Sequence, residues 1–161
     1  MKFIKRLYNY CILLLTSVFL LTGCSPEAEE LAVDVLTAVV ESDALISEDG
    51  TYTSKEEVAA YINEYGHLPS NFITKKEAKK LGWVSSEGNL DEVAPGMSIG
   101  GDYFGNYEGI LPEADDRDYY ECDIDFDGTY RNAKRIVFSN DGLIYYTEDH
   151  YESFELLYGE E

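Results

Sequence analysis

Cysteine is scarce in this chain, with Cys11, Cys24 and Cys122 the three among 161 residues. Two of them fall in or directly behind an apolar amino-terminal run, so the body of the protein keeps one thiol and cannot close an internal disulfide. Its core must hold by packing alone. Cys122 lies in an alternating segment and reads as a small buried hydrophobe. Basic residues are also few: 12 Lys and Arg stand against 32 Asp and Glu, a net charge of −20. That balance excludes a nucleic-acid binder working by bulk positive charge, which needs a basic face to release counterions from phosphates. Any chemistry on a nucleic acid must rest on a local cationic cluster. Histidine is limited to His67 and His150, which narrows the choice of groups titrating near neutrality. Aromatics, by contrast, are plentiful. Fourteen Tyr and seven Phe within a 45% hydrophobic composition exclude a disordered chain, and the length suits one domain.

The longest apolar run, Cys11 to Leu21, is short for a membrane span and follows Lys2, Lys5 and Arg6. This is the shape of a secretory signal. Its end, Leu21-Thr22-Gly23-Cys24, resembles the lipobox of bacterial lipoproteins. That resemblance implies cleavage before Cys24, lipid on its thiol, and an exported protein tethered at the cell surface; an ordinary cleaved signal would instead leave it extracellular. Loss of residues 1–23 removes three basic residues and no acid, leaving nine against 32, a net charge of −23. Residues 24–50 open with Glu27, Glu29 and Glu30 and continue through Leu31, Val35, Leu36 and Val39. They read as an acidic, partly helical leader that either spaces the domain from the membrane or docks on it.

The domain is expected over 51–161. Ser54 and Glu57 form a capping box, and Val58, Tyr61, Ile62 and Tyr65 follow at helical spacing, predicting a helix over 54–65. Thr74 and Glu77 repeat the box ahead of Ala78 and Leu81, with Gly82 as the stop. A short helix is expected near Asn89 to Val93. Beyond residue 97 the period changes to two. Strands are predicted at Tyr119–Asp125, Lys134–Ser139, Leu143–Thr147 and Ser153–Leu157, with Asn140-Asp141-Gly142 as a hairpin turn. Helices first and antiparallel strands after give an α+β domain, with helices packed on a twisted antiparallel sheet.

Between Tyr61 and Phe154 the chain carries the runs His67-Leu68-Pro69, Asn71-Phe72-Ile73-Thr74-Lys75, Leu81-Gly82-Trp83-Val84 and Gly88-Asn89-Leu90. Val93-Ala94-Pro95-Gly96, Ser98-Ile99-Gly100-Gly101-Asp102, Glu108-Gly109, Arg131-Asn132 and Asp149-His150-Tyr151 follow in order. In these runs the sequence resembles barnase and its relatives, the small bacterial guanyl-preferring ribonucleases. The resemblance implies an active site on the open face of the sheet. It also implies a monomer that cleaves RNA without cofactor or metal, and as a possible partner a small cytoplasmic inhibitor of the barstar type.

Cleavage of RNA by its own 2′-OH needs a base for that proton, an acid for the departing 5′-oxygen, and cations around the phosphorane. The resemblance assigns Glu121 as base, His150 as acid, Arg131 and Arg135 to the scissile phosphate, Lys75 to the transition state and Tyr151 beside the substrate. Glu108 matches the acceptor for the guanine edge, with Phe104 and Asn106 in the same loop. Period two puts Tyr119, Glu121 and Asp123 on one face and Tyr120, Cys122 and Ile124 on the other. His67, at the end of the first helix, is expected to serve structure. Tyr107 stands where the family has an arginine, an aromatic that stacks but does not neutralise, so guanine preference is less firmly implied than cleavage. Asp123, Asp125 and Asp127 before Gly128 imitate the opening of a calcium loop, but the twelfth position is Lys134, and solvated turn acids are the expectation. A different class, a non-catalytic binding module on the same scaffold, is set aside because such a module has no reason to keep both Glu121 and His150.

Overall fold

The computed structural model describes residues 46–160. The signal, Cys24 and most of the leader lie outside the described residues. Helix α1, Lys55–Tyr65, starts at Ser54, whose hydroxyl accepts the Glu57 N–H at 3.4 Å and donates to the Glu57 carboxylate at 2.6 Å. Strand β1 is Phe72–Ile73, and helix α2 is Lys75–Lys80. Thr74 and Glu77 close a full capping box on α2, as expected. Its other end is a Schellman turn: the Trp83 N–H reaches the Ala78 carbonyl at 3.0 Å and the Gly82 N–H that of Lys79 at 3.2 Å. Gly82 takes φ +103°, which a side chain would resist. A 3₁₀ turn at Ser85–Glu87 and helix α3, Leu90–Val93, complete the helical part.

The strands β2 (Ser98–Phe104), β3 (Tyr119–Asp123), β4 (Arg135–Ser139), β5 (Ile144–Thr147) and β6 (Glu155–Tyr158) form one sheet with β1, in chain order. β1 runs parallel to β2 and every other pair is antiparallel. The α+β expectation holds, with β1 and β2 added to the predicted strands. The glycine pair in β2 interrupts the alternation that marks a strand, and pairing with the tyrosines of β3 supplies what local pattern does not. β3 stops two residues early because Asp125 turns to φ +54°.

The sheet buries both faces. On one, Val58, Ala59 and Ile62 of α1 pack against Cys122, Ile124, Ile136, Phe138 and Ile144. On the other, Leu111, Tyr119, Val137, Leu143 and Tyr145 gather under Phe104, Tyr151 and Phe154. Each Val, Leu, Ile or Phe side chain among them contributes about 1.5–3 kcal/mol on burial. Burial also pushes the Cys122 thiol up, in keeping with an inert hydrophobe. A third cluster, Ala78, Trp83, Leu90, Ala94 and Ile99, anchors α2 and α3 to β2.

Ahead of α1, residues 46–50 are held to it as a strap. The Tyr61 hydroxyl donates to the Glu48 carbonyl at 2.9 Å and that of Tyr65 to the Ile46 carbonyl at 2.8 Å. The Ser47 N–H donates to the Tyr52 hydroxyl at 2.8 Å. Residues 46–50 thus belong to the same compact unit as α1. His67 is exposed and leans edge-on to Tyr61, their centroids 5.5 Å apart. It meets the Leu68 carbonyl with Nδ1 at 2.9 Å, while Gly66 caps the Ile62 carbonyl of the helix.

Candidate active site

The sheet face away from α1 carries the expected site, and β3 supplies its centre. Alternation places Tyr119, Glu121 and Asp123 on that face as expected, yet Glu121 and Asp123 are buried, not solvated. One oxygen of Glu121 takes a hydrogen bond from Lys75 Nζ and the other from the Tyr151 hydroxyl. Burial pushes this carboxyl up, but those two bonds and the charges of Lys75 and Arg131 outweigh it, holding it below the ordinary range. It is a carboxylate at neutral pH. Tyr151 is pushed the other way, first by burial and then by its bond to Glu121, so it keeps its proton and remains the donor.

Lys75 reaches Glu121 from α2, whose first residue it is. Its main-chain N–H donates to the Asp102 carboxylate at 2.8 Å, tying the start of the helix to β2. Asp102 lies opposite Glu121 in register, just past a bulge between Gly100 and Asp102. Gly101 occupies the bulge at φ +87°, a conformation that favours glycine.

The two arginines share a second carboxylate. Arg131 grips Asp123 with two bonds of 2.7 Å, from Nε and Nη2. Arg135, itself buried, brings its Nε to 3.0 Å from Asp123 Oδ1 but out of line for a hydrogen bond, which leaves that N–H without an acceptor. Asn132 helps to seat the pair. Its Oδ1 accepts the Lys134 N–H at 2.9 Å and its Nδ2 donates to the Ile124 carbonyl at 2.9 Å. Asp123 is thus the anchor of the arginines. Asp125 pairs with Lys134 at 2.7 Å and Asp127 accepts from Thr129. Among the described residues no group of acids, His or Cys is placed to hold a metal ion. Lys75, Arg131 and Arg135 thus meet the carboxylates of Glu121, Asp123 and Asp102 at this centre, three positive charges against three negative.

Next to this centre opens a cleft of about 470 Å³ whose lining includes Phe104, Asn106, Glu108, His150, Tyr151 and Phe154. Tyr151 is the shared wall, facing the cleft and bonded to Glu121. Asn106, at φ +42°, pins its loop by accepting the Leu111 N–H at 3.1 Å and donating to the Leu111 carbonyl at 2.9 Å. Glu108 is displayed from that loop, and Phe104 lies 5.2 Å from the Tyr151 ring. Tyr107 does not line the cleft. It is 92% exposed, its ring laid so close to Gly105 that a Cβ there would fall 2.3 Å from it.

His150 and Tyr151 adopt φ +58° and +77°, left-handed conformations costing about 1–3 kcal/mol each outside glycine. Asp149 holds them there. It accepts the Thr147 hydroxyl at 2.8 Å and the Ser153 N–H at 3.0 Å, while the Tyr151 N–H donates to Thr147 Oγ1 at 2.9 Å. Those bonds, the Ser153 hydroxyl's foremost, lower the Asp149 carboxyl to about 2. The site residues expected from sequence are thus brought together, apart from the outward Tyr107. Sequence reasoning missed Asp102, Asp149 and the anchoring role of Asp123. The first two were legible as members of the matched runs Ser98 to Asp102 and Asp149 to Tyr151; the third was expected among solvated turn acids.

A family model described as ribonuclease matches residues 55–158. A ribonuclease of Heyndrickxia coagulans is 57% identical over 97 residues, covering 60% of this chain and 89% of the relative. A ribonuclease of Bacillus intermedius shows 57% identity over 97 residues, and the match spans 60% of each chain. The guanyl-specific ribonuclease St of Saccharopolyspora erythraea is 46% identical over 57 residues, 35% of this chain and 56% of the relative.

Proposed function

The chain belongs to the ribonuclease family, and from that premise we propose that it is an endoribonuclease cutting single-stranded RNA after guanosine by attack of the 2′-OH, through a 2′,3′-cyclic phosphate. The observation that carries this reading is the arrangement around Glu121. A buried but ionised carboxylate, a lysine and two arginines adjoin a cleft that presents a histidine. Glu121 takes the 2′-OH proton, Lys75 and the two arginines hold the phosphate and its developing charge, and His150 protonates the leaving 5′-oxygen. Glu108 accepts from the guanine edge while Asn106 keeps the loop in shape. These groups supply base, acid and charge without a cofactor.

The chain acts after export, as a monomer tethered through lipid on Cys24, and a small inhibitor protein of the barstar type is its expected partner in the producing cell. Cleavage of a guanosine-containing oligoribonucleotide by the purified protein tests the activity, with the cyclic phosphate identified by mass and EDTA without effect. His150→Ala should lose several orders of magnitude; full activity in that variant would remove the assignment. For the anchor, Cys24→Ala should release the protein from the membrane fraction.

A further inference from the structure

Nine basic residues follow residue 23, and all lie among the described residues. Lys55, Lys75, Arg117, Arg131, Lys134 and Arg135 are each held in an ion pair with a carboxylate. The other three are Lys76, Lys79 and Lys80. They stand exposed on α2, the helix that begins with Lys75 of the site.

Spacing of i, i+3 and i+4 puts Lys76, Lys79 and Lys80 on one side of the helix, while Ala78 is buried in the core. Glu77, the acid in their midst, accepts the Thr74 hydroxyl at 2.7 Å and the Thr74 N–H at 2.9 Å and meets Lys76 and Lys80 only through their charge, without a salt bridge. Helix stability does not explain the set. Lysines in the last turn suit the helix dipole, but Lys76 lies in the first turn, where a cation is disfavoured. Like charges three and four residues apart also repel. In a chain of −20 the positive charge with no ion-pair partner among the described residues is thus gathered on one element about 9 Å long, starting at the catalytic centre.

We propose that Lys76, Lys79 and Lys80 form a phosphate track along α2 that binds the RNA backbone beside the scissile linkage. The proposal rests on the RNA-cleaving reading above. An acidic enzyme gains little from long-range steering of a polyanion; a short row of free ammonium groups supplies contacts once the strand has arrived. The track serves substrates with phosphates on either side of the cut, and a dinucleotide does not reach it.

The test replaces all three by glutamine, which keeps helix propensity and removes charge. For a long RNA at low salt, kcat/KM should fall roughly tenfold, while a dinucleotide substrate changes less than about twofold. Three lost phosphate contacts should also shift the slope of log(kcat/KM) against log[salt] by about 2 toward positive values. A triple arginine variant should retain the long-RNA rate. An equal loss on the dinucleotide, or an unchanged salt slope, would overturn the track. Binding of a 2′-deoxy oligonucleotide, which lacks the attacking hydroxyl, is measured by anisotropy in parallel and should show the same slope change. Should the wild type cut no RNA at all, the proposed activity fails, and the anisotropy slopes still decide the lysines.

Discussion

The main-chain N–H of Lys75 is bound by the carboxylate of Asp102 at 2.8 Å, joining the first turn of α2 to the strand beside Glu121. The bond sets where the Lys75 side chain starts, and so how it meets a carboxylate 46 residues away. Asp102→Ala removes an acceptor from a charge-assisted bond worth about 1.5–3 kcal/mol. The expected result is a loss of kcat of about tenfold or more, with KM for a dinucleotide little changed and partial rescue by Asn. Equal effects on kcat and KM, without rescue, would reduce Asp102 to a structural residue.

Glu121 is expected to control the acid side of the pH profile. Its carboxyl lies below the ordinary range, so activity and the stability drawn from its ionisation are complete above about pH 4.3 and are lost as pH falls through the lowered value. Lys75→Met takes away the hydrogen bond and charge that oppose burial. The acid limb of log(kcat/KM) should then move to higher pH, alongside a lower plateau. A limb that stays in place would mean that Lys75 does not set this ionisation.

Asp149 is expected to matter although it touches no substrate. It ties together the turn that holds His150 and Tyr151 at positive φ. Asp149→Ala should lower kcat by roughly tenfold through misplacement of the acid. Asp149→Asn, which keeps one acceptor, should lie between. NMR of the His150 ring would register the released turn directly, and an unaltered environment in the Ala variant would argue against this role.

The tyrosine-bound strap predicts a stability effect separate from catalysis. Tyr61→Phe with Tyr65→Phe deletes two bonds to main-chain carbonyls, about 0.5–1.5 kcal/mol each. The midpoint of unfolding should drop by about 5 °C or more. Cleavage after Glu48 by a glutamate-specific protease should quicken, with kcat/KM unchanged because α1 packs on the sheet face away from the cleft. A loss of activity matching the loss of stability would place the strap nearer the site than its geometry does.

Much of the fold was legible because its signals are local. Ser54 and Thr74 show their caps within three residues, and β3, β4 and β5 show alternation within five. β2 was not, since Gly100 and Gly101 remove the side chains on which alternation depends. Gly100 is glycine because the Cβ of Cys122 across the sheet would lie 2.7 Å from its own. In the site, Glu121, His150, Arg131, Arg135 and Lys75 were marked by the resemblance of whole runs. Asp123 was expected among solvated turn acids, because no local pattern shows that Arg131 and Arg135 meet its carboxylate.

The sequence by itself determined the class of the fold, the acidity of the chain and the residue types available for acid–base work, since periodicity, charge and capping are properties of neighbours along the chain. Only the tertiary structure decided which carboxylate meets which cation. Lys75 of α2 with Glu121 of β3, and Arg135 of β4 with Asp123 of β3, are pairings between elements, made when β3 is buried between its neighbours and a lone carboxylate there would be costly. The same folding commits Glu77 to the Thr74 cap and leaves Lys76, Lys79 and Lys80 of α2 without a salt bridge among the described residues.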